Sequence, residues 1–95
     1  MPVNVTESSS YSQISGSVNV CKGQAELTGI FCSSASNTPT ITVYDDPATG
    51  TANKIVDTFT PVAGTWYPLP FIAGAGLYVA IGGTVSCTVA YNAGG

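Results

Sequence analysis

Few side chains in this sequence could carry out covalent or metal-centred chemistry. The three thiols, Cys21, Cys32 and Cys87, lack the CxxC spacing of a zinc site, and their odd number gives no closed disulfide framework. Histidine and arginine do not occur, so the commonest general base is missing and neither an imidazolium nor a guanidinium can lower a thiol pKa. The sequence therefore predicts a protein that is not an enzyme, with no catalytic residue, no cofactor and no metal ligand.

The cysteines have a structural interpretation. Cys32 and Cys87 fall near the middle of alternating segments, where a free thiol usually behaves as a small hydrophobic side chain. We expect both to be buried. A bridge between Cys32 and Cys87, between Cys21 and Cys32, or between subunits through Cys21 stays open if the protein leaves the cell.

Three aspartates are the acids that could act together. Asp45 and Asp46 begin a DDPATG stretch whose carbonyl oxygens, with Asp57, could complete a calcium site. The spacing matches no EF-hand loop, and Asp-Pro-x-x-Gly is already explained as a turn. Paired carboxylates can also hydrolyse glycosides, but 95 residues are too few to build a cleft around them. We expect a turn here and no metal site.

The TWYPLPF stretch, residues 65–71, concentrates aromatic area beside two rigid prolines. Trp66 and Tyr67 could form an exposed platform that stacks on sugars or captures a protein partner. The prolines cannot donate ladder hydrogen bonds, so the segment should be an edge or irregular strand. We favour a structural role in core and edge packing over the platform, and keep both.

The balance of charge excludes further classes of function. Two lysines stand against five acids, for a net charge of −3, and charged residues make up 7% of the chain. Nucleic-acid binding needs several clustered cations to release counterions from phosphates, and two scattered lysines cannot provide them. No apolar run approaches the ~20 residues of a membrane span, and the first ten residues lack the features of an export signal. We expect synthesis in the cytoplasm and no contact with nucleic acid or membrane.

Short alternating segments must position these residues. From residue 24 onward apolar side chains recur at every second position, which is typical of half-buried β-strands. The 33–39 stretch is rich in turn-forming residues, and Gly82-Gly83 accepts the positive φ angles of a two-residue hairpin. We expect an all-β fold, a single antiparallel β-sandwich of jelly-roll or immunoglobulin-like topology. The predicted strands are 25–33, 40–45, 54–60, 65–71, 77–81 and 84–91.

Four strands carry explicit predictions of which side chains share a face. In 40–45, Ile41 and Val43 should oppose Thr40, Thr42 and Tyr44, and in 54–60, Ile55 and Phe59 should oppose Val56. In the last strand, one face should hold Val85, Cys87, Val89 and Tyr91. In the predicted strand 25–33, one face should hold Ala25, Leu27, Gly29 and Phe31.

The chain divides into residues 1–20, an N-terminal arm or edge strand, and residues 21–95, the β-sandwich domain. Outward positions are Ser and Thr rather than Lys and Glu, and a hydroxyl costs far less to desolvate than an ion. This surface favours an obligate homo-oligomer or a lattice component over a monomer whose surroundings make charge unnecessary for solubility. The candidate partner-binding residues are Val3, Val5, Tyr11, Ile14, Trp66 and Tyr67.

The run DTFTPVAGTWYPLPFIAGAGLYVAIGGTVSCTVAYN, residues 57–92, resembles the small all-β virion proteins of tailed bacteriophages, in which similar TWYxLPF, GLYV and IGGT segments close a short chain. The resemblance implies a structural component of the virion, assembled in the host cytoplasm. A head decoration (cement) protein would bind the major capsid protein between capsomers, as a homotrimer. A head-fibre or tail-appendage subunit that recognises host glycans is the alternative. The resemblance carries over no catalytic residue.

Overall fold

The computed structural model describes residues 10–94, which form one antiparallel sheet of six strands and, within that range, no helix. The prediction of an all-β, antiparallel fold is confirmed. Of the 1–20 segment, the two described stretches of strand lie at the edge of the sheet as β1 and β2. The strands are β1 (Ser10–Ile14), β2 (Val18–Cys21), β3 (Ala25–Asp45), β4 (Lys54–Phe59), β5 (Thr65–Ala73) and β6 (Leu77–Ala93).

Two long strands, β3 and β6, organise the sheet. They pair along their whole length, from Ala25 opposite Ala93 to Asp45 opposite Leu77. Shorter strands flank each end of this ribbon: β1 and β2 pair with β6, while β5 and β4 pair with β3. The sheet therefore has a first half, in the order β1-β6-β3-β5, and a second half, in the order β2-β6-β3-β4.

The predicted hairpin at Gly82-Gly83 is wrong, and so is the predicted break at 33–39. Both stretches continue as strand and pair with each other across the ribbon. The register shifts between Ser36 and Thr40, where Asn37 and Thr38 have φ angles of 59° and 53°, and Gly83 opposite has a φ of 71°. A Cβ on Gly83 would collide with the carbonyl oxygen of Asn37. The turn-forming residues thus bend two paired strands together instead of reversing one of them.

The ribbon folds back on itself at this bend. A straight strand of the length of β3 would span about 66 Å, whereas the longest dimension of the protein is 45 Å. At the other end, Ala73 lies opposite Ala25, and only three residues separate it from Leu77, opposite Asp45. The two ends of β3 are therefore close together.

Asp45 holds this closure. Its Oδ1 accepts hydrogen bonds from the backbone N–H of Ala75 at 2.7 Å and of Gly76 at 3.2 Å, and its Oδ2 accepts one from Gly74 at 3.2 Å. These bonds, chiefly the one from Ala75, hold the pKa of Asp45 below its ordinary value, although burial opposes them. The Asp45 carboxylate thus joins the end of β3 to the 74–76 connection, thirty positions away in the chain.

The core is one cluster of buried apolar side chains drawn from both halves of the sheet. Val85, Cys87 and Val89 point inward, as predicted. The faces predicted for 25–33 are correct only up to Leu27. A register shift between Leu27 and Gly29 reverses the alternation, so Phe31 points outward. The buried residues are Ile14, Ala25, Leu27, Ile30, Cys32, Ile41, Val43, Ala73, Leu77, Val79, Val85, Cys87 and Val89.

Candidate functional site

Strand β5 is apolar on both of its sides. Tyr67, Leu69, Phe71 and Ala73 alternate on the inner side, where Tyr67 and Leu69 pack against the core, Ala73 is completely buried and Phe71 is 44% exposed. Its outward side carries Trp66, Pro68, Pro70 and Ile72, all exposed. A strand with so few polar positions is typical of sheets covered on both faces, yet within residues 10–94 nothing covers the outward side of β5.

The indole of Trp66 packs against a glycine on the neighbouring strand. A Cβ on Gly29 would lie 2.5 Å from two carbons of the Trp66 ring and 2.6 Å from the carbonyl oxygen of Tyr67. Any larger residue would push the ring or β5 away. The arrangement leaves Trp66 46% exposed.

The cross-strand register extends this surface over all four strands of the first half. Phe31 lies opposite Trp66 on one side and Thr88 on the other. Tyr11 of β1 lies opposite Ala90, which in turn lies opposite Gly29 beneath the indole. We call this surface the apolar face; its members are Tyr11, Phe31, Trp66, Pro68, Pro70 and Ile72.

Charge is almost absent from the apolar face. Glu26, at one end beside Ile72, is the single charged side chain on the parts of the strands that form the first half within residues 10–94; Asp45 lies at the other end of β3, in the second half. Lys54 and Asp57 lie on β4, in the other half, and pair with each other at 3.0 Å. This pairing raises the pKa of Lys54 and lowers that of Asp57. A partner that covers the apolar face would therefore desolvate little charge.

The structure separates the two aromatic residues predicted as one platform. Trp66 lies on the apolar face, whereas Tyr67 turns inward and packs against Phe59 with ring centroids 5.0 Å apart. The Tyr67 hydroxyl accepts a hydrogen bond from the backbone N–H of Val62 at 2.8 Å. The reason is the period of two along a strand, which sends neighbouring side chains to opposite faces.

The remaining candidate partner-binding residues fall in different environments. Tyr11 is 74% exposed and belongs to the apolar face. Ile14 is buried in the core, three positions further along β1, so its assignment as a surface contact is wrong. Val3 and Val5 lie outside the described residues.

Sequence reasoning missed Phe31 and Ile72 as members of the site. The bulge that turns Phe31 outward had one signal, Gly29, because an isolated glycine inside a strand pattern often marks a bulge or a close backbone approach. Ile72 had a signal: residues 66–73 contain no charged or hydrogen-bonding position except the tyrosine hydroxyl and indole N–H.

The three aspartates do not form a joint site. Asp46 accepts hydrogen bonds from Ala48 and Gly50 of its own turn at 2.8 and 2.9 Å, Asp45 binds the 74–76 connection, and Asp57 pairs with Lys54 on β4. Among residues 10–94 no group of three or more potential metal ligands converges. The DDPATG stretch is a turn built on its own carboxylates, as expected.

Cys32 and Cys87 are both completely buried, as predicted, and lie directly opposite each other on β3 and β6. Burial raises the pKa of Cys32. The pKa of Cys87 is raised to about 11, chiefly by burial and in smaller part by the neighbouring Cys32. The thiolate form is scarce near neutral pH, so neither thiol is poised as a nucleophile.

No family model, no curated protein and no solved structure matches this chain. In the part of the chain that the structure describes, no helix has the length and apolar character needed to span a membrane. Over residues 10–94 the fold and the site define an all-β protein whose sheet presents an exposed, nearly uncharged face on its first half.

Proposed function

We propose that this protein is a structural, non-catalytic docking subunit of a virus particle, and specifically a head decoration protein of a tailed bacteriophage. The apolar face would bind the protein shell formed by the major capsid protein. The observation that carries the proposal is the outward side of β5, where Trp66, Pro68, Pro70 and Ile72 are all apolar and all exposed. The assignment to a bacteriophage particle is also a proposal, and it rests on the resemblance of residues 57–92 to small all-β virion proteins.

The size of the face supports docking to a protein. Tyr11, Phe31, Trp66 and Ile72 together expose on the order of 400 Å² of largely apolar surface, a size at which a patch on a single chain is commonly functional. A stable interface buries about 800 Å² per partner with an apolar centre and a polar rim. The four residues would supply that centre, and the surrounding Ser, Thr, Gln and Asn side chains the rim.

The geometry of β5 supports docking by a face and not by strand addition. Pro68 and Pro70 have no backbone N–H, so this edge offers few hydrogen bonds to another strand. We infer that the folded-back sheet is a sandwich whose second half stays in solvent, because the two ends of β3 meet and the core draws on both halves. Three copies would match the three-fold positions between capsomers, so we propose a homotrimer as the attached form.

The test uses virus particles purified from the lysate in which the chain is made. After the protein is stripped from them, purified wild-type chain should bind again to the expanded shells. Ile72→Thr removes roughly two methylene equivalents, about 1.5 kcal/mol of burial, so its binding should be about tenfold weaker. Val62→Thr is the matched control, because Val62 is 60% exposed, like Ile72 at 61%, but lies in a turn away from the face.

Absence of the chain from the particles, or failure of the wild-type chain to bind again, would end the proposal. Equal binding by Ile72→Thr and Val62→Thr would leave a virion protein that attaches through another surface. Concentration-dependent self-association that Ile72→Thr alone removes would show that the face is covered by other copies of this chain.

A second candidate function is glycan recognition by a fibre or tail appendage. The exposed indole of Trp66, which packs against Gly29, favours it, because an exposed aromatic ring offers a stacking surface to a sugar. Tyr67 and the DDPATG turn are left out of this glycan site, because Tyr67 turns toward the core and the Asp45 and Asp46 carboxylates accept backbone hydrogen bonds. Titration with soluble host oligosaccharides should then change the fluorescence of Trp66, the single tryptophan, and an unchanged spectrum would remove this candidate.

A further inference from the structure

The buried thiols Cys32 and Cys87 occupy a position suited to a covalent link. They are directly opposite each other on antiparallel β3 and β6, with both side chains in the core. Directly opposed residues on such strands have Cα atoms about 4.5 or 5.5 Å apart, and both values lie within the ~4.4–6.8 Å range of disulfides. The backbone therefore needs no large movement to join them.

The two thiols also interact electrostatically, since a thiolate at Cys32 raises the pKa of Cys87. The Cys32 thiol donates a weak hydrogen bond to the Ser34 carbonyl at 3.4 Å. Neither thiol is bridged in the structure.

The third thiol is placed elsewhere. Cys21 of β2 lies opposite Leu77, ten positions along β6 from Cys87 (77 to 87). It is half-buried, whereas the other two are fully buried. Of the two pairings within one chain that the sequence left open, the register favours Cys32 with Cys87.

We propose that Cys32 and Cys87 form a cross-strand disulfide when the chain meets an oxidising small-molecule disulfide such as oxidised glutathione. Both thiols are buried and largely protonated at neutral pH, so the reaction begins when the paired strands open locally and one thiol is exposed and ionises. This thiolate attacks a glutathione sulfur and releases one glutathione thiolate. The second protein thiolate attacks the mixed disulfide and releases the other. The pair loses two electrons and two protons, and one oxidised glutathione becomes two reduced ones. The proposal does not depend on the docking function.

The bridge would tie the two longest strands together just before their shared bend. It would close a loop of more than fifty residues, from 32 to 87, and restrict the unfolded chain accordingly. We expect the melting temperature to rise by about 10 °C or more. A chain made under reducing conditions would thus become harder to unfold once outside the cell.

The experiment uses the full chain carrying Cys21→Ser, which removes the third thiol but leaves the pair intact. The folded protein is incubated with oxidised glutathione and mapped by mass spectrometry without reduction, and its melting is followed by circular dichroism. The expected result is a Cys32–Cys87 cross-linked peptide in a monomer, loss of two hydrogens, and a raised melting temperature that dithiothreitol reverses.

Glutathione adducts as the stable product, bridges between two chains, or two unmodified thiols in folded protein would each overturn the proposal. A bridged monomer that melts at or below the temperature of the reduced protein would overturn the stabilising role. The same incubation of Cys21→Ser/Cys87→Ala is the control, in which a bridge within one chain cannot form. Since the deciding readout comes from Cys21→Ser alone, poor folding of the control would not affect it.

Discussion

Removing the carboxylate of Asp45 should open the closure between the two ends of the β3/β6 ribbon. In Asp45→Asn, the side chain keeps one carbonyl oxygen but turns an NH₂ group toward the N–H groups of residues 74–76. At least one of the three hydrogen bonds at 2.7, 3.2 and 3.2 Å is then replaced by two donors facing each other. Hydrogen bonds to a charged group contribute about 1.5–3 kcal/mol each, and partial exposure places these at the low end. We expect the free energy of unfolding to fall by about 2–3 kcal/mol.

The matched control is Asp46→Asn, at the adjacent residue and with the same change in net charge. Asp46 accepts two hydrogen bonds, but only from its own turn, two and four positions away. Its replacement should cost about 1 kcal/mol, because the Asp46 side chain itself bonds to no distant segment; the bonds from Asn19 and to Gly76 use backbone groups. Urea denaturation followed by circular dichroism measures both. For a domain of this size the difference corresponds to roughly 5–15 °C in melting temperature.

The pH dependence of the same pair of proteins supplies a second readout. The folded-state pKa of Asp45 is lowered, so its contribution is present above the unfolded value of about 3.9 and is lost as pH falls through the folded value. The stability gap between wild type and Asp45→Asn should therefore be constant near neutral pH and shrink below pH 4. Equal losses for both variants, or a gap that persists at low pH, would contradict the role assigned to Asp45.

Further predictions concern two glycines. Gly29→Ala should destabilise the protein by about 1–3 kcal/mol and shift the fluorescence of Trp66 to longer wavelength as the indole is pushed into solvent, whereas Gly23→Ala, with open space around it, should do neither. An unshifted spectrum would show that the ring does not lie over Gly29. Gly83→Ala should cost about 1–3 kcal/mol, because its φ is 71° and β3 leaves no room for a Cβ. Thermal melts that match those of Gly16→Ala, which has open space, would contradict the shared bend.

The alternating residues of 84–91 were enough to predict a strand and its buried side, since the period of two is a local property of an extended backbone. The same holds for the burial of Cys32 and Cys87 and for the turn at DDPATG. The pairing partner of each strand could not be predicted from these local patterns. Gly82-Gly83 has the composition of a hairpin, and nothing in the residues nearby reveals that β3 lies alongside and continues past it.

The candidate site divides in the same way. The apolar character of β5 and the low number of charged residues in the chain can both be read from the sequence. That Phe31 joins Trp66 on the outside depends on one bulge beside Gly29, which exchanges the faces of everything after it. That the two ends of the ribbon meet is set by the short 74–76 connection, which the Asp45 carboxylate and the Asp46 N–H both bind. Local pattern decides which residues are strand and turn; hydrogen bonds between distant segments decide which faces are buried and which remain free to bind.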